Sequence, residues 1–507
     1  MKVWHRSAPA PLWLLLMASL SRVAHGQLGP NSSPIQTSNY TVDLHQGASV
    51  ASSRVIGMAG AYVAIAEGVE GNFINPATPA VRVPWSRTHV DYDIGAGLAF
   101  PSAISRSDFF NSGANRTDLA TSDPSAFVFL DGEAQLQIGN WGFGGALTLQ
   151  RYGLERTTVA DSNAQRDRLR AEFLVMYLHL ARALADGQLV LGLGTRTTSL
   201  SVVNQNPLPG QTRALFITQG SGYEAGALFR PNDYSFRIGA AFRSAVTTAA
   251  QPSDAVPQDS AGNRVLAPGT ADALYLPERV TSPWDFTFGF AMQFGTRLFN
   301  PRWVDPEELL ERTVRSWRYR ALERQRRRRL LLARAAERGL DVAAQAAAID
   351  AEQAVQARLD EEQMLAAERS VATALRERER NLKRWYVLVS TSVRISGRVP
   401  NAVGVESFLQ RVVDRSGKRT VLSPSLGIET EAIPGWLKLR TGVYEEPTRF
   451  DNSRSSPRLH TTIGAEQKLF SWRVFGLYQR DFDWRIQAAI DMSERYFGWG
   501  ASFGLWH

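Results

Sequence analysis

Cysteine is absent from all 507 residues. That excludes a disulfide framework, a thiolate metal site and a cysteine nucleophile. Long apolar runs are absent as well. No segment beyond the first 26 residues reaches the roughly 18 consecutive apolar residues of a membrane helix. Histidine is scarce there too, standing only at His45, His89, His179, His460 and His507, without the spacing of metal ligands. Gly142-Phe143-Gly144-Gly145 lies in an alternating segment and is no phosphate loop. No nucleophile, base and orienting group recur as a set, so no enzyme, metal site or cofactor is expected. The net charge of +8 comes with arginines gathered in one stretch of an exported chain, so nucleic acid is not an expected partner.

What is present begins with an export signal. Lys2 and Arg6 form a basic start, and Pro11 to Leu20 is an apolar core too short to span a bilayer. Ala24-His25-Gly26 offers small residues for cleavage, so Gln27 is the expected mature start. An exported chain without a membrane helix is periplasmic, secreted or an outer-membrane barrel.

Alternation decides for the barrel. In "WDFTFGFAMQF", Trp284, Phe286, Phe288, Phe290, Met292 and Phe294 share one face, and Asp285, Thr287, Gly289, Ala291 and Gln293 the other. The greasy face suits lipid and the small or polar face a lumen. The signature recurs from Trp141 to Gln150, from Tyr234 to Arg243, from Leu459 to Glu466 and from Phe497 to Leu505. His89 and His460 fall on strand positions and are read as luminal polar residues. Short turns are expected at Gly139-Asn140, Asp186-Gly187, Pro231-Asn232-Asp233, Pro434-Gly435 and Phe470-Ser471. Longer polar connections alternate with them, at about residues 101–124, 153–168, 202–213, 249–278 and 447–457, which is the outer-membrane pattern. From Arg87 onward about fourteen strands follow. The stretch Trp472 to Ser493 reads as one strand, because a closed bacterial barrel needs an even count.

Ahead of the first strand stands "RVIGMAGAYVAIAEGVEGNFINPATPAV", Arg54 to Val81, apolar and broken by Gly57, Gly60, Gly68 and Gly71. It should begin inside the barrel or beneath it, because irregular backbone at membrane depth is tolerated only when buried in protein. Glycine permits the close approach such a plug needs.

This segment resembles the hatch of the FadL/TodX family, the outer-membrane transporters of long-chain fatty acids and aromatic hydrocarbons. Asn75-Pro76-Ala77 matches that family's Asn-Pro-Ala motif. "YEAGALFRPNDYSFRIGAAFRS" is similar to its central hairpin, and "LPERVTSPWDFTFGFAMQF" and "LKLRTGVYEEPTRFDNS" to later strands. The resemblance implies an all-β transmembrane barrel of about 14 antiparallel strands with an N-terminal hatch. It implies Asn75, Pro76, Ala77, Gly57 and Gly60 as hatch residues, a hydrophobic small-molecule ligand, outer-membrane lipid around the barrel, and passive uptake gated by the hatch. It assigns no ligand-binding residues. Relatives of the PorV type are accessory proteins, so a scaffold barrel is the alternative.

Residues 305–383 differ in composition. They are rich in Ala, Arg, Glu and Leu, with no proline after Pro306. Asp305-Pro306-Glu307-Glu308 is a helix start, Gly339 a stop and Asp341 a second cap. Two helices are expected, about 306–338 and 341–383, each roughly 50 Å or more long. Leu310, Val314, Trp317 and Ala321, and Val342, Ala346 and Ile349, mark a loose antiparallel seam. The run Arg324 to Arg329 suits anionic lipid or an acidic partner as well as a solvated face. Strand parity places this α-helical hairpin in the periplasm, where it would meet a periplasmic protein partner. The expected organisation is therefore a signal peptide over 1–26, a hatch over 27–86, eight strands over 87–304, the helical insertion over 305–383 and six strands over 384–507.

Overall fold

The structure is a computed structural model that describes residues 27–47, 51–83, 86–101, 107–113, 120–121, 127–156, 167–204, 214–252, 256–266, 273–381, 383–452, 454–472 and 482–506. The expected signal peptide lies outside the described residues, as do most of the connections expected at 101–124, 153–168 and 202–213.

Fourteen antiparallel strands form the wall: β1 (Val90–Phe100), β2 (Val128–Ile138), β3 (Trp141–Arg156), β4 (Asp167–Leu184), β5 (Leu189–Asn204), β6 (Ala214–Phe229), β7 (Phe236–Arg243), β8 (Asp285–Gly295), β9 (Tyr386–Ser396), β10 (Val421–Ile433), β11 (Leu437–Glu446), β12 (Arg458–Trp472), β13 (Phe482–Ser493) and β14 (Tyr496–Leu505). Each strand pairs with its sequence neighbours. β14 returns to β1, from Gly95↔Gly504 to Phe100↔Trp499, and closes the barrel. No edge is left unpaired, as a strand in lipid requires.

The alternation has a physical cause that the wall makes plain. Phe286, Phe288, Phe290, Met292 and Phe294 of β8 are exposed on the outside, while Thr287 and Gln293 between them are buried in the lumen. Trp141, Tyr234, Trp385, Trp436 and Trp472, all exposed, ring the end where the short turns lie. Aromatic rings at that height form one girdle of a membrane-facing band. Leu505 departs from the pattern, being buried where the alternation would turn it outward.

Two turn readings need correction. Phe470-Ser471 is no turn: β12 runs on to Trp472 through a register shift between Lys468 and Ser471, pairing Ser471 with Asp483 and Trp472 with Phe482. Apolar and aromatic residues there satisfy the strand pattern as well as they do a turn. The strict alternation of long and short connections also breaks once. β13 and β14 join at the long-loop end through Glu494 and Arg495 alone, with Arg495 at φ 60°.

The long connections do not all project outward. Those after β7 and β9 supply the short strands Val246–Ala249, Arg279–Ser282, Ala402–Gly404 and Arg415–Ser416, and the connection after β9 adds a short helix, Val405–Gln410. The four strands form a five-stranded sheet with Thr41–Asp43. Thr41–Asp43 pairs in parallel with Arg279–Thr281 and with Ala402–Gly404. The N-terminal residues therefore begin at the long-loop end, ahead of the segment Arg54 to Val81. Residues 27–86 divide in two: an outer strap that ends near Gly47, and a plug from Ala51 that descends through the lumen. The plug carries α1 (Ser53–Gly57) and two single turns of 3₁₀ helix at Val69–Phe73 and Thr78–Ala80.

Between β8 and β9 stand α2 (Pro306–Glu337) and α3 (Val342–Arg380). Asp305 caps α2 by accepting from the Glu307 N–H at 3.0 Å, and Asp341 caps α3 through Ala343 and Ala344. Gly339, at φ 65°, makes the turn between them. The seam is shallow: Val314 is buried, Trp317, Ala346 and Ile349 are half-buried, and Val342 is exposed. Arg328 grips Asp350 through both nitrogens at 2.6 and 2.8 Å, and Arg324 pairs with Asp360, so two of the arginine run bind the partner helix. Arg326, Arg327 and Arg329 are exposed. The hairpin stands at the short-turn end of the barrel, beside the turns at Gly139 and Gly187. His89 also lies at that end, paired with Asp305 at 3.0 Å, and not in the lumen.

Candidate functional site

The plug is seated by glycines on the wall. Gly192 of β5 and Gly226 of β6 are paired across the sheet and face the Asn75-Pro76-Ala77 turn. An added methyl at Gly192 would stand 2.5 Å from the Ala77 nitrogen and nearer still to the Pro76 carbonyl. Only glycine leaves room for that backbone approach. Asn75 is fully buried and spends its side chain on the turn. Its amide donates to the carbonyls of Val63 at 2.9 Å and Ala227 at 3.3 Å, and its oxygen accepts from the Ala77 N–H at 3.0 Å. Gly57 meets Gly464 of β12, where a methyl would lie 3.2 Å from the facing Cα. Gly60, at φ 75°, turns the chain after α1 and returns its N–H to the Val55 carbonyl at 2.9 Å. The structure thus brings Asn75, Pro76 and Ala77 together against β5 and β6, with Gly57 apart from them against β12 and Gly60 at the luminal cavity.

Buried charges lock the plug sideways. Arg54 holds Glu429 through two bonds of 3.0 and 3.1 Å, and Glu429 also accepts from Arg440 and Tyr386. Glu466 takes Arg440, Lys438 and Arg485, and Arg485 reaches back to Glu70 of the plug. On the opposite wall Arg237, fully buried, pairs with Glu67 at 2.7 Å and donates to the Ile65 carbonyl at 2.8 Å. Each guanidinium has a carboxylate or carbonyl partner, the condition under which buried charge is tolerated.

Above the plug lies a luminal cavity of about 150 Å³. Its character changes with height. Towards the long-loop end the inner faces of β2 to β6 carry buried apolar residues, Phe129, Tyr152, Phe173, Val175, Leu200 and Phe216 among them. Phe109 and Phe408, from inward-folded connections, pack against this wall. At the cavity itself Arg196, Arg243 and Arg394 enter from three strands, with Asp285 between two of them. Arg243 pairs with Glu224 at 2.9 Å and Asp285 at 3.6 Å. Arg394 makes no ion pair among the described residues. Its guanidinium donates to the carbonyls of Gln46 at 3.2 Å and Gly47 at 3.1 Å, where the strap turns into the plug. The arrangement joins an apolar wall to a cationic floor, the chemistry that holds an amphipathic anion.

Sequence reading missed these luminal residues, Arg196 and Arg394 above all. The available signal was parity: Arg196, Arg243 and Arg394 each fall on the inward-facing positions of their strands.

No family model matches the sequence, and no curated protein matches it. Solved structures do. The chain is similar to a FadL homologue from Pseudomonas aeruginosa, at 11% identity, covering 92% of this chain and 98% of that one with a TM-score of 0.45. It is similar to a TodX deltaS2S3 mutant monoaromatic hydrocarbon channel, at 12% identity over 90% and 98% of the two chains, with a TM-score of 0.47. The Pseudomonas putida toluene transporter TodX shares 12% identity over 92% of this chain and 99% of its own, with a TM-score of 0.44.

Proposed function

We propose that the protein is an outer-membrane channel for passive uptake of hydrophobic compounds, gated by its N-terminal plug, with long-chain fatty acids as the first candidates. The observation that carries this reading is the gradient in the lumen. A channel for hydrophilic solutes has a polar lumen throughout, whereas here the outer half of the β2 to β6 wall is an aromatic and aliphatic surface that ends at three arginines. A tail would follow the wall and a carboxylate would reach Arg394. The cavity has the volume of about five waters, enough for a head and its first carbons. The remainder of a long chain would lie in the apolar region above. The exposed apolar band and its aromatic girdle support membrane residence. The long loops would then face outward and the helical hairpin the periplasm.

Uptake of labelled fatty acid by a deletion strain carrying the native or the Arg394→Gln gene tests the reading. A charge-assisted hydrogen bond contributes about 1.5–3 kcal/mol, so half-saturation should rise at least tenfold for the acid and stay unchanged for its methyl ester. Equal uptake with and without the native gene would remove the proposal.

A second reading, an accessory barrel that holds an envelope partner, is favoured by one observation. Leu322, Leu330, Leu331, Leu359, Met364 and Leu365 of the hairpin are exposed. Co-purification of a stoichiometric partner that depends on residues 305–383 would support it.

A further inference from the structure

A second cavity, of about 270 Å³, lies at the short-turn end, beneath the plug. Its wall joins three parts of the molecule: Arg82 from the end of the plug, Asn140, Gly187 and Arg230 from the barrel turns, and Trp303 and Arg312 from the hairpin root. Four arginines line it against three carboxylates. The carboxylates are engaged, Asp186 with Arg302 at 2.9 Å, Asp305 with His89 at 3.0 Å and Glu308 with Arg312 at 2.5 Å.

Two donors are not. Arg230 is 5% exposed and has no carboxylate partner among the described residues. Its Nη1 makes one long bond, 3.4 Å, to the Arg82 carbonyl, and its Nε is buried with no acceptor. Trp303 lines the same cavity, and its indole Nε1 is likewise buried with no acceptor. Arg82 adds charge without free donors: its nitrogens are taken by the carbonyls of Thr88, His89 and Gly139 and by Ser86, and its guanidinium lies 4.2 Å from the Trp303 ring centre. Buried donors left unmade are costly, and what both lack is an acceptor.

We propose that this cavity is a binding site for an oxyanion group, a carboxylate or a phosphate, held between Arg230 and the indole N–H of Trp303. Burial pulls the Arg230 guanidinium down to about 9 and that of Arg82 to about 10, the direction expected for cations that a bound anion would compensate. The anion has two sources, the head of a compound emerging below the plug or a free anion on that side of the membrane. The site does not depend on the transport reading, since its geometry is independent of the luminal arginines.

Calorimetric titration of the full chain in detergent, with inorganic phosphate, acetate and hexanoate as separate probes, tests it. All titrations are made in the Arg394→Gln background, which removes the luminal carboxylate contact, and binding is expected there. It should weaken about tenfold in Arg230→Gln, the loss of one charge-assisted bond. Hexanoate binding more tightly than acetate and phosphate would identify an emerging amphiphile; equal binding would identify a free anion. Where Arg230→Gln fails to show heat-modifiable migration, Arg302→Gln at the exposed rim decides, with about threefold weaker binding expected from the freed Asp186 charge. No binding by any probe, or binding unchanged in the folded Arg230→Gln or, failing that, in Arg302→Gln, would overturn the proposal.

Discussion

Replacing Gly192 by alanine should loosen the plug and leave the barrel standing. The added methyl meets backbone on the far side, the Pro76 carbonyl and the Ala77 nitrogen, and neither can rotate away. The turn behind them is held by Asn75 bonds to Val63, Ala227 and Ala77, so the whole motif must shift. Overpacking of this kind costs about 1–3 kcal/mol. Applied to the seated state alone, it changes the ratio of seated to displaced plug by roughly 5- to 150-fold. The wall pays nothing comparable, because the strand hydrogen bonds of β5 and β6 do not pass through the side-chain position. Heat-modifiable migration should therefore persist, while entry of a large hydrophilic antibiotic and single-channel conductance should rise. Gly132→Ala is the matched control, since a methyl there meets nothing within 4 Å. Asn75→Ala acts on the same seat, so its effect should combine with Gly192→Ala less than additively. A Gly192→Ala protein with a folded barrel and native leakage would refute the view that this glycine pair seats the motif.

Two further outcomes follow from the hairpin. Replacing residues 306–381 by a short Gly-Ser connection should preserve membrane insertion and heat-modifiable migration, because β8 and β9 are already paired from Asp285↔Ser396 to Gly295↔Tyr386 and a flexible connection costs little closure entropy; Asp305 is retained for its pair with His89. A protease site near Gly339 should resist protease added to intact cells and be cut once the outer membrane is permeabilised; cleavage on intact cells would reverse the orientation.

The barrel was legible because its solvent is lipid. Each strand must put apolar residues on one side, so period two survives in the sequence, and the fourteen strands followed with one misplaced turn at Phe470-Ser471. The hairpin was legible because its caps are local: Asp305, Gly339 and Asp341 act within a few residues of themselves. The plug motif was visible, but its seats were not. Gly192 and Gly226 read as ordinary small luminal residues, and only the fold shows what stands opposite them. The outer strap was illegible for a related reason. Thr41–Asp43 pairs with Arg279–Thr281 and Ala402–Gly404, hundreds of residues away, and a three-residue strand carries no periodic signal. The luminal arginines sat in plain view on inward positions, yet their convergence depends on curvature that no single strand records.

The strap alters how the plug can move. At the long-loop end the chain is held by two parallel pairings and by Asp43, which binds Arg449 at 2.9 Å and Ser416 at 2.9 Å. At the short-turn end Arg82 is tied to the carbonyls of Thr88, His89 and Gly139. A segment fixed at both mouths of a closed barrel cannot leave through either one without unfolding an anchor. Removing one partner of a buried ion pair costs about 3–5 kcal/mol, and wholesale displacement would break the contacts of Arg54, Glu67 and Glu70 together. In the proposed uptake a passage would open at lower cost by a shift confined to the stretch between the anchors, at places where no ion pair binds plug to wall, two of which stand out among the described residues. One is the Gln46-Gly47 junction, held to Arg394 through backbone carbonyls and to Gln150 and Tyr152 through the Gln46 side chain, without an ion pair. The other is the Asn75-Pro76-Ala77 turn, held to the wall by close packing and one long amide bond of 3.3 Å to Ala227. The first borders the luminal cavity and the second lies deeper, so in the proposed uptake an anion that took Arg394 from the strap would act at the upper of these two points while the charged locks between them stayed closed.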